Sequence, residues 1–102
     1  MPAWEYARVG DLENVRYSLE VEGEDVNYVN DWNATALYYA AFGGHTEVVK
    51  YLLDRGAKCE ENTFQGERCY YGALTDAIRE ILRRYELTAA SRSPYREFWR
   101  IA

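Results

Sequence analysis

The sequence predicts an all-α fold, built as a stack of about three helix–turn–helix units with a short helix after them. Three observations favour this architecture. The chain is similar to itself at a regular spacing of about 33 residues, which is the mark of a stacked repeat protein. Its clearest segment, 31–57, carries one apolar stripe at helical spacing. Glycines stand where the chain would have to reverse between two helices.

The repeat register follows from matching residues at that spacing. Shifted forward by one repeat, Ala40, Val48 and Val49 fall on Ala73, Ile81 and Leu82. Shifted backward by one repeat, Ala41, Gly44, Val49 and Leu53 fall on Ala7, Gly10, Val15 and Leu19. The chain is therefore expected to hold a weak first repeat, a strong second and a divergent third, because a single helix pair cannot bury such a stripe alone.

Segment 31–57 also resembles a known repeat. Its order Thr-x-Leu, Ala-Ala-x-x-Gly-His-x-Glu-Val-Val and Leu-Leu-x-x-Gly-Ala resembles the ankyrin repeat almost position by position. Segment 58–79 and the pair Tyr38-Tyr39 are similar to the last repeat of proteins that join ankyrin repeats to BTB domains. That resemblance implies a protein-binding module beside a domain that dimerises and recruits cullin-type ubiquitin ligase scaffolds, with segment 94–101 corresponding to the first BTB helix.

The expected boundaries follow from the register. We predict an ankyrin domain over 1–90, with repeats at about 3–27, 31–60 and 64–88, and a helix or linker over 91–102. Helices are expected at Ala3–Val9, Leu12–Leu19, Thr35–Phe42, Thr46–Asp54, Cys69–Leu74 and Asp76–Glu86, with Gly23, Gly56 and Gly66 in tight turns. The residues expected in the core are Val15, Leu19, Leu37, Ala41, Val48, Val49, Leu52, Leu53, Leu74, Ile78, Ile81 and Leu82.

Composition and charge argue against some classes of partner and favour one cellular compartment. The net charge of −5 argues against a general attraction to nucleic acid. The N-terminus has no basic start and no long apolar run, so neither a signal peptide nor a membrane span is expected. Two cysteines in an ordinary composition favour a reduced intracellular setting, cytoplasmic or alternatively nuclear.

Catalytic and metal chemistry find little support. His45 is the only histidine, and the ankyrin resemblance places a structural histidine there rather than a base or ligand. Cys59 and Cys69 lack the partners of a zinc site; Cys69 is expected to be a small buried group, with a disulfide between the two as the alternative. The acidic residues lack the alternating spacing of a calcium loop. No catalytic, cofactor-binding or metal-binding residue is assigned, no cofactor is expected, and the chain is predicted not to be an enzyme.

The resemblance implies a binding surface on the loop tips and on the exposed positions of the first helix in each repeat. Carried onto this sequence, these positions are Asp31, Trp32, Ala34, Tyr39, Phe42, Phe64, Gln65, Glu67 and Gly72. A packing role between repeats remains the alternative for Tyr39. Aromatic residues at loop tips are favoured as binding anchors, because a tip has little core to fill.

The leading expectation is thus a module that binds another protein, with self-association through an open end of the stack or the C-terminal helix as a further expectation. One alternative is a structural cap that packs on an adjacent domain of the same polypeptide. Another is weak nucleic-acid binding by the arginines of the last quarter, for which an ordinary solvated helix face is the simpler explanation. Segment 94–101 is expected to form a helix that packs on the last repeat or on a second copy, since four of its residues are large and apolar.

Overall fold

Six helices account for the regular structure in the computed structural model, which describes residues 2–58 and 64–91, and only the backbone of 64–67 and 86–91. The helices are α1 (Ala3–Val9), α2 (Leu12–Glu20), α3 (Ala36–Phe42), α4 (Thr46–Asp54), α5 (Phe64–Gly72) and α6 (Asp76–Ser91). No strand occurs within these described ranges. The all-α stack predicted from the sequence is confirmed.

The helices form two layers. The first helices α1, α3 and α5 contact one another in order, and the second helices α2, α4 and α6 do the same behind them. Each helix–turn–helix pair also packs together. The core between the layers contains Val15, Leu19, Leu37, Ala40, Ala41, Val48, Val49, Leu52, Leu53, Cys69, Ala73, Ile78 and Leu82. Small alanines on the first helices let them approach the second layer closely.

Short helices such as α1 and α2 depend on their ends being satisfied. Thr35 accepts the N–H of Tyr38 and caps α3, while Thr75 accepts the N–H of Ile78 and caps α6. The start of α1 is capped from a distance, because the Glu24 carboxylate accepts the N–H of Ala3 at 2.9 Å.

His45 joins the first two repeats. Its Nε2 donates to the carbonyl oxygen of Arg8 at 3.0 Å, which satisfies a carbonyl near the end of α1. The imidazole lies so close to Gly10 that a Cβ there would come within 2.5 Å of Nδ1. Gly10 also has φ +79°, so both its backbone angle and its lack of a side chain are required. The structural role expected for His45 agrees with these contacts.

A second polar contact between repeats joins α2 to α4, in the layer of second helices. The Tyr51 hydroxyl donates to Glu20 at 2.7 Å, and Arg16 pairs with the same carboxylate at 3.1 Å. The bond from Tyr51, followed by that from Arg16, lowers the pKa of Glu20. Burial, followed by the bond to Glu20, raises the pKa of Tyr51. The repeats are therefore connected by polar contacts in both layers.

The third repeat departs from the sequence prediction. Helix α5 begins at Phe64 and ends at Gly72, whereas the register predicts Cys69–Leu74. Gly66 lies inside α5 rather than in a tight turn, because one glycine costs a helix only about 1 kcal/mol relative to alanine. Gly56, with φ +93°, does occupy a turn, while Gly23 has a left-handed φ of +71° in the irregular stretch after α2.

Cys69 is buried, as the sequence predicts for a small apolar group. It reaches the core from the middle of α5 rather than from its start. Cys59 lies outside the described residues, so the alternative of a disulfide between the two stays untested.

Leu74 is the other correction. The register places it in the core, yet Leu74 is 64% exposed. Its N–H donates to the carbonyl oxygen of Ala41 at 2.9 Å, which holds Leu74 in the turn after α5 with its side chain over Gly44. Ile81 is half-buried, while the remaining residues of the predicted core are buried. Segment 92–102, including the expected C-terminal helix, lies outside the described residues.

Candidate functional site

A continuous row of rings crosses the first two repeats. The Trp32 and Trp4 rings meet edge to face, with 6.4 Å between their centres, and the Trp4 ring stacks on that of Tyr39, with 5.3 Å between the centres. Tyr39 contacts Tyr38 at 5.5 Å, and Tyr38 contacts Phe42 at 6.0 Å. We call these five residues the aromatic face. Four of them belong to α1 and α3, so the face lies on the layer of first helices.

The ends of the aromatic face are its open parts. Trp32 is 71% exposed and Phe42 is 59% exposed, whereas Trp4, Tyr38 and Tyr39 are half-buried. Exposed aromatic rings packed against half-buried neighbours are suited to act as binding anchors, because they lose little freedom when a partner covers them. Four rings were assigned to the partner surface from sequence. Trp32 and Phe42 are exposed, Tyr39 is half-buried, and the side chain of Phe64 lies outside the described residues.

Trp32 is presented by an ordered loop tip, residues 30–34. The Asn30 side-chain oxygen accepts the N–H groups of Trp32 and Ala34 at 3.0 and 3.1 Å. The Asn30 amide nitrogen donates to the Tyr39 hydroxyl at 2.9 Å. Asn30 is itself buried at 9% exposure. This one amide thus fixes both the tip and the ring beside it.

Arg68 supports the same tip from the third repeat. Its guanidinium donates to the carbonyl oxygens of Trp32 and Asn33, and it lies 4.4 Å from the centre of the Tyr38 ring. Asn33 has φ +57°, a left-handed angle that asparagine adopts more readily than most residues. Arg68 lies in α5, so the second-repeat tip depends on the third repeat for its position.

Only some of the residues assigned to the partner surface are exposed in the structure. Asp31 and Trp32 are exposed at the tip, and Phe42 is exposed on α3. Ala34 is only 1% exposed, so its expected exposure is wrong; the Asn30 bond draws it beneath the tip. Phe64, Gln65 and Glu67 lie in α5 by their backbone rather than at a loop tip, and their side chains are outside the described part of the chain.

Two other assigned positions pack inside the stack. Tyr39 is held between Trp4 and Tyr38, so the packing alternative describes it better than an exposed position. Gly72 is half-buried, and a Cβ there would come within 3.0 Å of the Tyr38 ring. The tyrosine pair therefore faces both neighbours, with Tyr39 on the first repeat and Tyr38 on the third.

Sequence reasoning missed three residues of this region. The register could have found Trp4, because shifting Tyr38 back by one repeat places an aromatic ring there. Tyr71 is 73% exposed at the end of α5, although its pairing with Tyr38 in the register suggests packing between repeats. Arg68 gives no usable signal in the sequence, since its role depends on carbonyl oxygens in another repeat.

The arginines of α6 are engaged within the chain. Arg79 pairs with Asp76 at 2.6 Å, and Arg84 pairs with Glu80 at 3.0 Å. Arg83 donates to the Tyr70 hydroxyl and lies over that ring. A phosphate-binding surface would keep its cations available, so this helix face favours the solvated-face explanation. Arg92, Arg96 and Arg100 lie outside the described residues.

Metal-binding and membrane-spanning features were also sought in the described residues. No group of three or more histidine, cysteine, aspartate or glutamate side chains there could hold a metal ion. None of the helices described is long and apolar enough to cross a membrane.

The comparison with known families identifies the family of this chain. The family described as ankyrin repeats (many copies) matches residues 5–53, which span α1 to α4. The chain belongs to the ankyrin repeat family. Ankyrin repeats bind other proteins, and members of this family are generally interaction modules rather than enzymes.

Curated relatives carry the same repeats within longer chains. BTB/POZ domain-containing protein 3 of Schizosaccharomyces pombe is 48% identical over 86 residues, 84% of this chain and 16% of its own. An ankyrin repeat-containing protein of Saccharomyces cerevisiae is 43% identical over 83 residues, 81% of this chain and 16% of its own. Human ankyrin repeat domain-containing protein 39 is 38% identical over 60 residues, 59% of this chain and 32% of its own. The chain thus spans a small part of the length of each.

Proposed function

We propose that the chain binds a partner protein through the aromatic face, as the ankyrin region of an adaptor of the ankyrin–BTB type that works inside the cell. The observation that carries this is the pair of exposed rings, Trp32 and Phe42, held at the ends of a packed aromatic row. The BTB part of the proposal is supported by the relative from Schizosaccharomyces pombe, whose name includes a BTB/POZ domain. In that adaptor role, the protein delivers its bound partner to a ubiquitin ligase.

The test compares two sets of exposed aromatic residues. Replacing both Trp32 and Phe42 with alanine should weaken partner binding by about 1–4 kcal/mol without unfolding the chain, because both rings are largely exposed. Tyr17→Ala is the matched control, since Tyr17 is 54% exposed but lies on α2 in the other layer. Proteins captured by the unmodified chain and the control, and lost with the double variant, would be partners of this face.

Two outcomes would contradict the proposal. Equal capture by the double variant would place the binding surface elsewhere. Loss of helical signal in the double variant by circular dichroism would mean that the rings belong to the core.

The structural-cap alternative is tested on a polypeptide that joins the repeats to a further domain. If the repeats only pack on an adjacent domain, the partners captured with and without the repeats will be the same. Self-association is tested by sedimentation of the chain over a range of concentrations, and a concentration-independent monomer would rule it out.

A further inference from the structure

The tryptophan end of the aromatic face is flanked by carboxylates. Asp31 is exposed and directly precedes Trp32 in the tip. The Glu24 carboxylate is held at the N–H of Ala3, next to Trp4 in the chain. Neither acid takes part in an ion pair among the described residues. This end of the face therefore combines an open indole ring with two carboxylates, while the Arg68 guanidinium is held by the carbonyl oxygens of Trp32 and Asn33.

Several tyrosine rings of this protein contact arginine side chains of the same chain. A guanidinium lies over a tyrosine ring three times in the described residues: Arg68 on Tyr38 at 4.4 Å, Arg83 on Tyr70 at 5.5 Å and Arg16 on Tyr51 at 5.8 Å. In the last case the same guanidinium also pairs with a carboxylate, that of Glu20. A ring and an adjacent acid hold a cation better than either alone, since the ring face and the carboxylate are both negative.

Trp32 offers that arrangement to a partner. Tryptophan binds cations more strongly than tyrosine, and Trp32 is 71% exposed beside Asp31. Its contact with Trp4 is edge to face. The net charge of −5 further disfavours an acidic partner segment.

We propose that the partner places an arginine or lysine side chain on the ring of Trp32, beside the Asp31 carboxylate. This inference rests on the proposed function, because it assumes that the aromatic face is the protein-binding surface. The partner segment is then basic at this point and apolar farther along, where the exposed Phe42 ring ends the face and α3 carries no charged residue. The Tyr38 ring between them is already in contact with Arg68.

A randomised peptide library selected against the whole chain provides the test. Selected peptides should carry arginine or lysine next to apolar residues. Replacing that arginine with citrulline, which has nearly the same shape but no charge, should weaken binding about threefold to tenfold, as expected for one cation on an aromatic ring. On the Trp32→Ala variant the same replacement should have a smaller effect, because only the Asp31 carboxylate then remains to interact with the charge.

The contribution of Asp31 is tested by Asp31→Asn, with Asp54→Asn, at an exposed acid of α4, as the matched control. Asp31→Asn should weaken arginine peptides up to about fivefold and citrulline peptides little, as expected for an exposed ion pair. Peptides that need Trp32 and Phe42 but carry no basic residue would overturn this inference and leave the proposed function standing. Peptides indifferent to both rings, or no selected peptide at all, would contradict the proposed function as well.

Discussion

Ser18 and Thr35 each bring a hydroxyl group into the protein interior, at 0% and 5% exposure. The Thr35 hydroxyl accepts the N–H of Tyr38, whereas the Ser18 hydroxyl has no hydrogen-bond partner among the described residues. A buried polar group without a partner costs free energy, while a capping bond satisfies a backbone donor that the helix leaves open. Residues of the same burial and chemistry therefore act in opposite directions on stability.

Alanine substitutions should show this difference. Ser18→Ala should leave the free energy of unfolding unchanged or raise it by up to about 1 kcal/mol, and Thr35→Ala should lower it by about 1 kcal/mol. Urea denaturation of both variants measures the two values side by side. A clear loss of stability in Ser18→Ala would show that its hydroxyl does have a partner.

Two glycines with similar backbone angles form a second pair. Gly10 has φ +79° and Gly23 has φ +71°. A Cβ at Gly10 would meet the His45 ring, whereas nothing lies within 4 Å of one at Gly23. Gly23→Ala should cost about 1–2 kcal/mol from its backbone angle alone, and Gly10→Ala about 2–5 kcal/mol with crowding added. Thermal unfolding compares them, and equal losses would mean that the imidazole moves aside freely.

At the scale of helices, α2 and α4 are joined by the Tyr51 hydroxyl on Glu20. This bond and Arg16 lower the pKa of Glu20 in the folded chain. A carboxyl group whose pKa is lowered by folding stabilises the fold above its unfolded pKa, about 4.3 for glutamate, and loses that effect as the pH falls through the folded value. The contact is thus a pH-dependent tie between repeats.

Tyr51→Phe removes the hydroxyl and keeps the ring. The pKa of Glu20 should rise toward its ordinary value, which a carbon-detected NMR titration of the Glu20 carboxyl group measures directly. The stability difference between the variant and the unmodified chain should be present at neutral pH and disappear in acid. Tyr28→Phe, at a tyrosine that is 48% exposed, is the control and should leave Glu20 unchanged. No movement of the Glu20 titration in Tyr51→Phe would refute the tie.

At the scale of the whole molecule, three short helix pairs support one another and none has a core of its own. Each first helix contacts its neighbours in the stack, so stability depends on nearest-neighbour interfaces and on how the ends are covered. Segment 92–102 lies outside the described residues, but it carries Tyr95, Phe98, Trp99 and Ile101. Its proposed role is to pack on the end of the stack or against a second copy of the chain.

Removal of residues 92–102 tests that role. If the segment covers apolar surface, its loss should lower the melting temperature or change the oligomeric state, measured by calorimetry and sedimentation. Replacing the four large apolar residues with serine in the otherwise unmodified chain is the matched variant and should have the same effect. An unchanged melting temperature and mass in both would show that the segment packs on nothing.

The sequence by itself determined the helical layers and most of the core. The spacing of Val48, Val49, Leu52 and Leu53 is a local property of one helix, and the repeat register copies it to α2 and α6. Left-handed backbone angles at Gly23 and Gly56 were likewise readable, because a positive φ favours glycine. Trp32 and Phe42 followed from the repeat pattern and proved to be exposed.

Only the tertiary structure decided the details between repeats. Ala34 is buried because Asn30 folds the tip over it, and Tyr39 is packed because Trp4 stacks on it from another repeat. Helix α5 begins at Phe64 despite Gly66, and Leu74 faces outward because its backbone bonds to α3. These outcomes depend on contacts between residues far apart in the chain, which a local periodicity does not encode.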